Sequence, residues 1–195
     1  MLRSLVGSEM CIRDRNWTIR PERSEDAAQI TAVTHAAFAH AEHSSHTEQF
    51  IVEALRKAGQ LTVSLVAEDG ARLIGHVAIS PVEVSPTAAD WYGLGPISVL
   101  PEWHGRGVGS ALMEAALRDL QGQGAAGCVV LGDPGYYHRF GFRPHPGLVL
   151  PGVPQEYFQA LSFGGEVPGG IVRYHGAFEA TELSLIHISE PTRLL

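Results

Sequence analysis

Apolar and polar residues alternate over Trp17-Thr-Ile-Arg20, the period of a half-buried strand. Ser24, followed by Glu25 and Asp26, reads as a helix start, with Ser24 as cap and acids in the first turn. Ala28, Ile30, Val33, Ala37 and Phe38 then recur at helical spacing and predict a helix to about His40. A polar break from Glu42 to His46 precedes a second helix, capped by Ser45 or Thr47. Its apolar face is Phe50, Ile51, Ala54 and Leu55, and its end lies near Gly59. Two β runs, Leu61–Ala67 and Arg72–Ile79, flank the turn Glu68-Asp-Gly70. Pro81 and Pro86 bracket Val82-Glu-Val84, an extended continuation or edge segment. Trp91–Leu100 is a further strand. Leu112, Met113, Ala116, Leu117 and Leu120 are spaced as a helix, and Cys128–Leu131 is a short, wholly apolar strand that must be buried. Leu148–Pro154 is rich in Pro and Gly, Glu156–Leu161 reads as one or two helical turns, Gly164–Gly170 as a loop, and Ile171–Tyr174 as a last strand.

The chain has 195 residues, enough for one domain with a sizeable core. Its 45% hydrophobic and 18% charged content is that of a soluble globular protein, without an apolar run of membrane-spanning length. A net charge of −7 offers no global attraction to nucleic acid or anionic lipid and favours a cationic or amine-bearing partner. Cys11 and Cys128 make no disulfide framework, which fits a reducing, cytoplasmic compartment. The two ends stand apart. Val6–Asp14 and Leu183–Arg193 resemble translated sequencing-adapter peptides, so residues 1–15 and 183–195 are expected to be artefactual tails around a domain of residues 16–182.

The chain's chemistry concentrates between Gly95 and Leu120. The strand stops at Pro101, a turn carries Gly105, Gly107 and Gly109, and the helix follows. Strand, glycine turn and helix start together offer backbone N–H groups and the positive end of a helix dipole to a phosphate. Ser110 stands where a dinucleotide fingerprint needs its third glycine, and the next acid after Asp119 is Asp133; no Gly-Lys-Ser/Thr is present. The stretch instead resembles the acetyl-CoA-binding motif of the GNAT superfamily of N-acetyltransferases. That motif, Gln/Arg-x-x-Gly-x-Gly/Ala, aligns with His104-Gly-Arg-Gly107-Val-Gly109, with His104 in the Gln/Arg place. A second GNAT hallmark, Tyr-x-x-x-Gly-Phe, is met at Tyr137–Phe142. Leu94-Gly95-Pro96 and Gly132–Phe142 are similar to the YhbS-like branch.

The resemblance implies a single α/β domain: a mixed, mostly antiparallel sheet with helices on both faces and a V-shaped splay between two central parallel strands. Those strands would be Trp91–Leu100 and Cys128–Leu131. Acetyl-CoA would be the acyl donor, with Ile97, Ser98 and Val99 along its pantetheine arm. His104, Gly105, Arg106, Gly107, Val108, Gly109 and Ser110 would surround its pyrophosphate. Tyr137 takes the place of the family's proton donor, while Tyr136 reads as packing. The glutamate that many members carry in the splayed strand falls on Gly93, so it does not carry over. Glu83, Glu48, His76 and Asp133 remain as bases, or ordered water serves. His35, His40, His43 and His46 match no zinc spacing, and no metal is expected; they border the region where the fold receives its acceptor. Trp103 reads as packing, and Arg106 as able to reach a phosphate.

The function expected is N-acetylation of a small-molecule or peptide amine by direct attack in a ternary complex, by a monomer or homodimer. Cys128, in an apolar strand, reads as core and not as a nucleophile. Two alternatives stand beside it: a non-catalytic acyl-CoA sensor or scaffold of the same fold, and a dinucleotide-dependent oxidoreductase.

Overall fold

The computed structural model describes residues 16–39, 46–86 and 88–181. The expected artefactual tails, His40 and His43 lie outside the described residues. The element order is β1 (Trp17–Pro21), α1 (Ala27–Phe38), α2 (Glu48–Lys57), β2 (Val63–Asp69), β3 (Arg72–Ser85) and β4 (Trp91–Val99). There follow α3 (Val108–Gly122), β5 (Gly127–Leu131), α4 (Pro134–Tyr137), β6 (Leu148–Val149), β7 (Phe158–Ser162) and β8 (Gly170–Tyr174).

The sheet runs β1-β2-β3-β4-β5-β7, and β8 pairs with the far half of β3 and with β6. Among the described residues only β4–β5 and the short β6–β8 pair are parallel; the other pairs are antiparallel. The predicted turn is a tight hairpin in which Asp69 pairs with Arg72 and Gly70 supplies a φ of +61°. β3 outlasts its prediction because Val82 and Val84 stay buried while Pro81, Glu83 and Ser85 face water, an alternation that continues one strand into the β8 ribbon.

α3 covers one face of the sheet through Leu112, Met113, Ala116 and Leu120, all fully buried. Gly75 of β3 faces it so closely that a β-carbon there would stand 2.9 Å from Leu112. α1 and α2 cover the other face, where Thr34 of α1 meets Ser98 of β4 (Oγ1···Oγ 3.4 Å). A second core cluster on that face joins Val82, Val84, Trp91, Val129 and Val172.

Three local expectations need correction. Ser24 does not cap α1: its hydroxyl bonds Glu25, and a short 3-10 turn, Ser24–Asp26, intervenes. The polar group at that start is the Asp26 carboxylate, which accepts from the Arg23 N–H and pairs with Arg20 at 2.6 Å. Glu156–Leu161 is not helical, since Phe158–Ser162 is a strand antiparallel to β5. Phe158, Gln159 and Ala160 are all buried, which hides the two-residue period. Within the Pro/Gly-rich segment, Leu148 and Val149 form the short strand β6.

Candidate active site

β4 and β5 are hydrogen-bonded only from Trp91–Gly127 to Leu94–Val130. The partner strand explains where they part. Val77 of β3 pairs with Ile97 and Ile79 with Leu94, so β4 carries one extra residue around Gly95-Pro96. A bulge of that kind bends its strand and ends its pairing. Beyond it, Ile97, Ser98 and Val99 stay paired with β3 and turn their other backbone edge away from β5.

Into this split opens a cavity of about 510 Å³, lined by Ile97, Val99, Trp103, His104, Gly105, Gly107, Val108, Gly109, Ser110, Tyr136 and Arg139. Its floor is the start of α3. Gly107 precedes the helix with φ +79° and ψ 5°, a left-handed conformation natural to glycine. The Ala111 N–H is the first to reach back, to the Gly107 carbonyl at 3.0 Å. By helix geometry the N–H groups of residues 108–110 therefore lack an intrahelical acceptor and point outward with the positive end of the dipole. His104 anchors the turn, its Nε2 donating to the Val99 carbonyl at 2.9 Å.

Of the expected cofactor-binding residues, the cavity gathers Ile97, Val99, His104, Gly105, Gly107, Val108, Gly109 and Ser110. Ser98 is directed to the opposite face, where it is buried against Thr34. Arg106 stacks on Trp103 at 5.0 Å and is not a lining residue. Sequence reasoning passed over Trp103, Tyr136 and Arg139 as lining groups. Arg139 lies 4.7 Å over the Tyr136 ring and donates to the Tyr136 carbonyl at 3.0 Å, which places a cation at the cavity wall. The signal was available in Tyr136-Tyr137-His-Arg139, which runs from the end of α4 into a 3-10 turn, where i and i+3 positions share a face.

Tyr137 is not itself a lining residue; it sits behind Tyr136, the two rings edge-to-face at 5.1 Å. It covers Gly132, where a β-carbon would stand 2.4 Å from the Tyr137 ring. Burial, with Tyr136 and Asp133 adding, pushes its phenol up to about 12. Gln159, unremarked in the sequence, is fully buried and donates to the Gly132 carbonyl at 3.0 Å, fixing the turn that Tyr137 rests on. Burial likewise pushes the Cys128 thiol far up, so it remains protonated in the core.

The four residues raised as bases are not brought to this cavity. Glu83 is exposed and stands opposite Arg173 in the β3–β8 ribbon. Asp133 caps α4 by accepting from the Gly135 N–H at 2.9 Å. Glu48 opens α2. His76 is buried on the α1–α2 face, its Nε2 2.8 Å from Ser64 Oγ. Ser64 donates its one hydrogen to Glu22, so His76 Nε2 carries a proton and Nδ1 is an acceptor without a partner among the described residues. Burial holds the His76 imidazole below its ordinary range against the pull of Glu22. Glu22 is desolvated too, yet its bonds with His76, Arg56 and Ser64 outweigh this and hold it well below the carboxylate range. His35 and His46 line a second cavity of about 180 Å³ with Phe38, Ala39 and Gln49, and no cluster of metal-ligating residues occurs among the described residues.

Residues 60–144 match the model of the Acetyltransferase (GNAT) domain. A crystal structure of a GNAT family acetyltransferase from Brucella melitensis in complex with acetyl-CoA is 49% identical in sequence. It superposes with a TM-score of 0.75, covering 83% of this chain and 97% of that one. The chain belongs to the GNAT acetyltransferases. The Escherichia coli (strain K12) protein named "Uncharacterized N-acetyltransferase YhbS" is 39% identical over 126 residues, 64% of this chain and 72% of the relative. The structure of Escherichia coli YhbS in complex with CoA matches with a TM-score of 0.76 and 35% identity, over 84% of this chain and 92% of that one. No helix among the described residues is long and apolar enough to cross a membrane.

Proposed function

We propose that this N-acetyltransferase moves an acetyl group from acetyl-CoA to an amine by direct attack, with both substrates bound together. The observation that carries the reading is the meeting, in one cavity, of the α3 N-terminus and the unpaired edge of β4. The first fits a pyrophosphate: backbone donors, a helix dipole, glycines that let the anion approach, and the Arg139 cation at the wall. The second fits an acyl-pantetheine arm, which borrows the hydrogen bonds that β5 relinquishes. Acetyl-CoA and CoA in the Brucella and Escherichia coli relatives support the same donor.

In this reading a neutral amine nitrogen attacks the thioester carbonyl carbon. Backbone donors around Ile97–Val99 meet the negative charge that develops on the carbonyl oxygen. The C–S bond breaks, the amide forms, and the departing thiolate takes a proton from Tyr137. The nitrogen's proton leaves through water, since Glu83, Glu48, His76 and Asp133 lie elsewhere, and solvent reprotonates Tyr137. Cys128, protonated and buried, gives no support to a covalent intermediate. A dinucleotide oxidoreductase would need a doubly wound parallel sheet, which this topology is not.

Steady-state kinetics test the proposal. Acetyl-CoA and amine are varied together, with thiol release and product mass as readouts. Intersecting double-reciprocal lines are expected from a ternary complex. Parallel lines, or an acetylated enzyme on mass analysis, would contradict direct attack.

A further inference from the structure

Ile97 and Val99, which line the cavity, pair with Val77 and Gly75 and so lie on the α3 face. Gly93, one residue before the last β4–β5 pair at Leu94, lies on the opposite face, directly across from Ser80. The Tyr174 ring is seated on Gly93: a β-carbon there would stand 2.3 Å from Tyr174 Cε1 and 2.9 Å from Val82. Phe178 braces the ring from behind, centroid to centroid 4.6 Å. β8 thus holds one phenol at the apex of the split, on the side away from the cavity.

That hydroxyl is buried and has no hydrogen-bond partner among the described residues; the same is true of Ser80 Oγ. A hydroxyl buried without a partner destabilises the fold. Phenylalanine would fill the same space without that cost. An unpaired group of this kind is explained when a ligand completes it. The acyl donor's cavity lies on the α3 face, and the face that Tyr174 and Ser80 occupy is the one it leaves to a second substrate.

We propose that Tyr174 receives the acceptor, its hydroxyl oxygen accepting an N–H hydrogen bond from the incoming amine and so aiming the nitrogen lone pair at the thioester carbonyl. The assignment rests on the acetyl-transfer reading above. No proton moves to Tyr174. Burial, with Cys128 and Tyr137 adding, pushes its phenol far up, so it stays neutral and serves as a hydrogen-bonding group. Ser80 Oγ, on the same face, offers a second site to the same substrate.

The test compares the full chain with its Tyr174→Phe and Ser80→Ala variants. It measures thermal midpoint, acetyl-CoA affinity by calorimetry, and acetylation of putrescine, tyramine, kanamycin, lysine methyl ester and the dipeptide Ala-Ala. Tyr174→Phe is expected to keep its midpoint or raise it and to hold the acetyl-CoA Kd within twofold. Its kcat/KM for the amine is expected to fall at least tenfold, and Ser80→Ala to lose less. Turnover of Tyr174→Phe within twofold of wild type overturns the assignment while leaving the enzyme reading intact. A wild-type chain that binds acetyl-CoA yet acetylates none of the five amines overturns both.

Discussion

Two alanines, two residues apart, separate the glycine turn's part in folding from its part in binding. Gly107 has φ +79° and nothing within 4 Å of a β-carbon, so Gly107→Ala meets no clash and suffers only the left-handed conformation. That costs roughly 1–2 kcal/mol, and a domain of this size loses about 2–4 °C of midpoint per kcal/mol. Gly109 is helical, and alanine there gains up to about 1 kcal/mol of helix propensity. Its methyl, however, would stand 3.1 Å from the Tyr136 hydroxyl and 3.6 Å from Val99, inside the cavity. The two variants should therefore move stability in opposite directions, or leave Gly109→Ala unchanged. Both should weaken acetyl-CoA. A backbone hydrogen bond to a charged group is worth about 1.5–3 kcal/mol, so disturbing one lowers affinity about 10- to 150-fold. Thermal unfolding and calorimetry on the same preparations give both numbers. Affinity within twofold of wild type in both variants would refute pyrophosphate binding at this turn. A loss confined to the less stable variant would do so too.

Three more outcomes follow from other parts of the molecule. Tyr137→Phe should lower kcat at least tenfold with unchanged acetyl-CoA affinity; full activity would remove Tyr137 as proton donor. Gly93→Ala forces a methyl into the Tyr174 ring and Val82, and overpacking of this kind should cost about 1–3 kcal/mol in denaturant unfolding; an unshifted midpoint would mean that the ring does not rest there. Acid should destabilise the fold in two stages. His76 is neutral when folded, so the unfolded chain binds its proton first and stability begins to fall below about pH 6.5. Glu22 and Asp26, both held low, add their losses below the ordinary carboxylate range near pH 4. Unfolding free energies from pH 8 to pH 3 check this; His76→Phe should flatten the upper stage and lessen the Glu22 part of the lower one, since Glu22 then loses one of the bonds that hold it low.

Much of this was legible in the chain because it is local. The glycine turn, the helix behind it and the apolar β5 announce themselves by spacing, and the cavity gathered most of the residues named from that stretch. What escaped was set by distant partners. β7 is hidden in the sequence because Phe158, Gln159 and Ala160 are all buried, so no alternation shows. Ser98 was assigned to the donor along with its neighbours, yet a residue's face depends on register, and the extra residue at Gly95-Pro96 becomes visible only against β3. Tyr174 gave no sign because its importance is its contact with Gly93, eighty-one positions earlier, which no window along the chain contains.

The most direct measurement is acetyl-CoA titrated calorimetrically into the full chain, with Gly107→Glu beside it. The account predicts one saturable site per chain, lost in the variant because a carboxylate then stands at the helix start that receives the pyrophosphate. A folded wild-type chain that releases no binding heat at any temperature tried, or a variant that binds equally well, would contradict it.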